Sequence, residues 1–90
     1  MDVEIGKVIH YYDHLGVAIL SLMETLKLGD KVHFFGHATD FTQRVSSIEV
    51  DHHPVLWVKP GDHVAIKVIK PVHEHDMVYR VVEEEMEPLG

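Results

Sequence analysis

The sequence predicts an all-β domain, a six-stranded closed antiparallel β-barrel, on three observations. Apolar residues alternate with polar ones in short runs, as Val32 and Phe34 do with Lys31 and His33, which is the period of a strand with one buried face. No window places apolar residues at i, i+3, i+4 and i+7 for long enough to make a helix, and the nearest candidate, Leu20 to Leu28, is short. Six such runs joined by short turns favour closure, because a closed sheet leaves no exposed edge to pair with other chains.

Val3 to Tyr12 is rich in β-branched and aromatic residues and ends at "DHLG", a turn signal, after which Val17 to Leu22 reads as the second strand of a hairpin. "LKLGD" then turns the chain into "KVHFFG", and "GHATD" turns it again. Gly29 and Gly61 each precede an Asp where the chain enters a strand, and glycine accepts the positive φ such turns need. In the next strand the apolar phase runs Phe41 and Val45 but resumes at Ile48 and Val50. A bulge near Ser46 and Ser47 would absorb that odd step and bend the strand around a barrel. "HHPVLWVKPGD" reads as a loop punctuated by Pro54 and by Pro60-Gly61-Asp62, and "HVAIKVI" and "MVYRVV" supply the last two strands. Residues 1–82 form the barrel in this reading, and the glutamate-rich 83–90 an acidic tail.

Ninety residues make one domain with one modest core. The absence of cysteine removes disulfides, thiolate metal ligands and a cysteine nucleophile. Nowhere do 18 apolar residues follow one another, so a cytoplasmic protein without a membrane span is expected. A net charge of −7 argues against a general nucleic-acid binder, and DNA is not expected as a partner. Four of the fifteen acidic residues fall in the tail, which leaves eleven against eight basic ones, a balance of −3, so a local basic patch remains open.

"GVAILSLMETLKLGDKVHFFGHATDFTQRVSSIEV", continuing through "HHPVLWVKPGDHVAIKV" to "MVYRV", resembles the second domain of translation GTPases such as elongation factor Tu. The matching features are Leu26-Lys27-Leu28-Gly29-Asp30, Gly36, Val45 with Ser47-Ile48, Pro60-Gly61-Asp62 followed by Val64, Ile66 and Val68, and Val78 to Val81. Within that type the run from Gly36 to Ser47 is similar to the barrel at the C-terminus of collagenase-like peptidases. The resemblance implies a fold of the translation-protein kind and a binding role. It implies no GTP binding, since no "GxxxxGK[ST]" loop is present.

Chemistry-bearing candidates are few. Nine histidines are the strongest compositional anomaly. His73 and His75, two apart in an extended segment, would point to one side and with His63, Glu74 or Asp76 as a third ligand would suit zinc or nickel. No serine, Ser21, Ser46 and Ser47 included, lies in a nucleophile elbow, and no acid pair has a recognisable spacing, so neither catalysis nor a cofactor is expected. Trp57 beside Leu56 in a Pro-flanked loop suits a contact surface. Lys27, Lys31, Lys59, Lys67 and Lys70 would line one rim if the two Gly-Asp turns lie close together. The expected function is therefore a non-catalytic binding module for a protein or RNA of the translation or RNA-processing machinery. The alternatives are a histidine-based metal-binding accessory protein and a detached accessory domain of a collagenase-like peptidase.

Overall fold

The alternating runs become strands in the computed structural model of the protein, which describes residues 2–82; the acidic tail assigned to 83–90 lies outside them. No helix occurs among the described residues, and so none is long and apolar enough to cross a membrane. The strands are β1 (Asp2–Tyr12), β2 (Val17–Leu22), β3 (Leu26–Lys27), β4 (Lys31–Gly36), β5 (Thr39–Arg44), β6 (Ile48–Val50), β7 (His53–Pro54), β8 (Trp57–Val58), β9 (His63–Lys67) and β10 (Met77–Val81). Every ladder is antiparallel.

An eight-stranded sheet runs in the order β5-β4-β10-β1-β2-β9-β6-β7, and β3 with β8 makes a two-stranded ribbon. The all-β expectation holds, but the six-stranded closed barrel requires correction: among the described residues no ladder closes the large sheet, whose outer strands are β5 and β7. Val45 to Ser47, where the apolar phase slips, lie outside strands and end β5 before β6 begins. A side chain bridges the gap instead. Gln43, buried on β5, donates from Nε2 to the Lys67 carbonyl at 2.8 Å and accepts at Oε1 from the Ile69 N–H, also at 2.8 Å. The stretch read as one loop, 52–62, likewise contributes β7 and β8.

The inner face carries the apolar half of each alternation, and its largest fully buried side chain, Phe34 of β4, stacks on its cross-strand partner Phe41 of β5 with centroids 5.1 Å apart. Two register shifts in β1, between Glu4 and Gly6 and between Val8 and His10, let Ile5, Gly6 and Val8 all turn inward. Bulges of this kind curl a strand around a core.

Three turns share one design. In Lys27 to Asp30 the Asp30 N–H donates to the Lys27 carbonyl at 3.0 Å, while the Lys27 N–H donates to Asp30 Oδ2 at 2.9 Å. His73 to Asp76 repeats both bonds at 3.1 Å and 2.8 Å, and Lys59 to Asp62 repeats the first at 3.5 Å. The third residue has a positive φ in each: 89° at Gly29, 94° at Gly61 and 76° at His75. A side chain at that φ costs roughly 1–2 kcal/mol, more than the roughly 0.5–1 kcal/mol of unfolded-chain entropy that a glycine adds. His75→Gly should therefore raise the thermal midpoint by about 2 to 8 °C in a thermal unfolding scan; a lowered midpoint would mean that the imidazole makes a contact that outweighs the backbone strain.

Candidate functional site

Three exposed apolar side chains meet at the β3–β8 ribbon and the chain on either side of it. Leu26 pairs with Val58 and both point into the core, so the alternation turns Lys27 and its partner Trp57 outward. The Leu28 N–H donates to the Leu56 carbonyl at 2.9 Å, extending the ribbon by one bond and bringing the two leucines together. Trp57 is 60% exposed, Leu56 73% and Leu28 43%. Leu28 and Leu56 line an open groove of about 460 Å³, completed by Ser46 to Glu49, Pro54 and Val55. The ribbon thus offers a recess for an apolar side chain and, beside it, an indole ring next to a lysine. Tryptophan is among the residues that most often anchor protein interfaces.

The five lysines fall into separate places. Lys27 and Lys59 flank Trp57 on the ribbon, Lys31 stands opposite Arg44 at the start of β4, and Lys67 and Lys70 lie at and beyond the end of β9.

The histidine set is not gathered either: no group of three or more His, Asp or Glu side chains able to hold a metal exists among the described residues. The expected extended segment at His73 and His75 is a turn with His75 at positive φ, so the spacing argument for a shared side fails. His63 sits on β9 opposite Ser21.

Thr39, His73 and Asp76 have the residue types of a hydroxyl nucleophile, a base and an acid, yet their geometry is that of a structural clasp. The Thr39 hydroxyl donates to Asp76 Oδ2, which also accepts from the His73 N–H. His73 Nδ1 lies 3.1 Å from the same hydroxyl. The hydroxyl donates to the carboxylate and not to the imidazole, and Thr39 is only 3% exposed, out of reach of a substrate. No buried side-chain polar atom among the described residues lacks a partner. Sequence reasoning considered Asp76 only as a metal ligand and not as the centre of this clasp, and it missed Gln43 and Leu28, the latter because its place in a turn offered no sign of exposure.

Comparison with known proteins gives a consistent result. No family profile matches the chain. An uncharacterized protease of Methanocaldococcus jannaschii is 34% identical over 82 residues, covering 90% of this chain and 20% of the relative, so the chain spans about one fifth of that protein's length. The crystal structure of the C-terminal domain of a "putative U32 peptidase" of Geobacillus thermoleovorans superposes with a TM-score of 0.83 at 25% identity, covering 89% of this chain and 93% of that one. The selenomethionine variant of that domain gives 0.80 at 27%, covering 83% and 95%. The chain is thus related to the C-terminal domain of U32 peptidases, the collagenase-like half of the resemblance stated above; the comparisons do not carry the translation-factor half.

Proposed function

We propose that the chain is a non-catalytic accessory domain of a collagenase-like, U32-type peptidase, and that it docks on the peptidase body through Leu28, Leu56 and Trp57. The observation that supports this reading is the similarity over 82 residues to one fifth of a protease, in a fold whose most exposed large apolar side chain, Leu56, stands beside Trp57 on one ribbon. Covering a leucine or tryptophan side chain contributes about 1.5–3 kcal/mol, and three such anchors suffice for a specific contact. The test is titration calorimetry of the chain with a U32-type peptidase from which the corresponding C-terminal segment has been removed. The expected result is a saturable complex that Trp57→Ala and Leu56→Ser each weaken about ten-fold or more, which is about 1.4 kcal/mol, without lowering the thermal midpoint. No binding, or binding indifferent to both substitutions, would overturn it.

A second reading, contact with RNA of the translation or RNA-processing machinery, draws on one feature: the cross-strand pair of Trp57 and Lys27 with Lys59 beside it. An exposed indole with adjacent cations suits stacking on a single-stranded base. Anisotropy with a short single-stranded RNA separates the two, because only this reading expects binding that Trp57→Ala abolishes and added salt weakens.

A further inference from the structure

A second groove lies on the outer face of the sheet, away from the ribbon. Its floor is apolar where a solvent-facing strand would ordinarily be polar: Val17 and Ile19 of β2 and Ala65 of β9, all half-buried. Register fixes the arrangement. Ile19 stands opposite His10 on β1 and Ala65 on β9, and Ala65 stands opposite Glu49 on β6. Tyr12 and Leu15 wall one side, Leu15 being 69% exposed, and the turn between β6 and β7 walls the other; the groove encloses about 610 Å³.

That turn is unusual. Asp51 and His52 both have positive φ, 50° and 65°, the geometry of a two-residue type I′ hairpin, which normally takes Asn-Gly. Two side chains stand there despite the strain, and both line the groove. Glu49 and Asp51 make no hydrogen bond or ion pair among the described residues, unlike Asp40 and Glu74, each of which meets a histidine. The groove therefore has an apolar floor and, at the end shared with His52 and His63, two carboxylates that no cation pairs among the described residues.

We infer that this groove receives an extended apolar polypeptide segment carrying lysine or arginine, with the apolar side chains over Val17, Ile19 and Ala65 and the cation at Glu49 and Asp51. The inference goes beyond peptidase docking and does not depend on it: Leu28, Leu56 and Trp57 take no part in this groove, and the two grooves share Glu49. Nucleic acid is the wrong occupant, because its phosphates would face the two carboxylates.

The test is fluorescence anisotropy of the whole chain with a labelled octapeptide of leucine, valine and glycine bearing one lysine and one arginine, and with its counterpart in which both cations are glutamate. The cationic peptide should bind at least ten-fold more tightly than the acidic one, and its affinity should fall several-fold as salt screens the pair. The triple variant Glu49→Gln, Asp51→Asn, His52→Gly removes both charges while giving the turn its preferred residues, so it should bind at least ten-fold more weakly with an equal or higher thermal midpoint. Trp57→Ala should leave peptide binding unchanged. Failure of the cationic peptide to bind, equal affinity for the two peptides, full binding by the triple variant, or loss of binding in Trp57→Ala would each overturn the inference.

Discussion

Gly6→Ala is expected to destabilise the domain by about 3 kcal/mol or more, a fall of at least about 12 °C in thermal midpoint. Gly6 is buried in β1, just after a register shift, and pairs with Leu22 of β2. A Cβ added there would lie 2.2 Å from the Ser21 carbonyl oxygen, 3.1 Å from its carbon and 3.2 Å from the Leu22 Cα. All three are backbone atoms, so no rotamer change relieves the clash, and β1 would have to move away from the strand it pairs with most extensively. Lys7→Ala, one residue on and exposed, should stay within about 0.5 kcal/mol of the parent in the same denaturant or thermal titration. A Gly6→Ala midpoint within a few degrees of the parent would show that β1 and β2 approach less closely than this.

Asp76→Ala should cost about 2–4 kcal/mol, with Asp76→Asn costing less. The carboxylate is almost fully buried, closes the turn that precedes β10 by accepting from the His73 N–H, and accepts from the Thr39 hydroxyl across the fold. Removing it takes the acceptor from the His73 N–H, leaves the buried Thr39 hydroxyl only the His73 imidazole, and opens a void, whereas asparagine keeps an oxygen that can accept both bonds. The same group sets the residue at position 36, because a Cβ on Gly36 would fall 1.9 Å from Asp76 Oδ1. Gly36→Ala should therefore be costly in the parent and nearly free in Asp76→Ala. Additive costs in that double-mutant cycle would mean that the two sites do not touch.

Legibility in the sequence followed the type of interaction. The β4–β5 hairpin was open to reading because Val32, Phe34 and Phe41 are set by burial alone, and burial has a period. The break at Ser46 and Ser47 showed itself as a slip in that period. The β6–β7 hairpin did not, because its turn uses Asp-His in a conformation that sequence statistics assign to Asn-Gly. The link from edge strand β5 to the end of β9 was equally hidden: it rests on the amide of Gln43, and one polar residue in a strand reads as outward-facing. At the ribbon, Pro54 and the Pro60-Gly61 pair pointed to the exposed Leu56 and Trp57. Leu28 reached the same surface only through the pairing of β3 with β8, a contact between segments thirty residues apart that no local pattern reports.

Hydrogen–deuterium exchange on the chain alone and with a U32-type peptidase body lacking its own C-terminal segment tests the docking claim most directly. Docking through the ribbon predicts slowed exchange at residues 27–29, 46–49 and 55–58, with the amides of β1 and β10 unchanged. Unaltered exchange everywhere at saturating peptidase, or protection confined to the outer sheet face around Ile19 and Ala65, would contradict it.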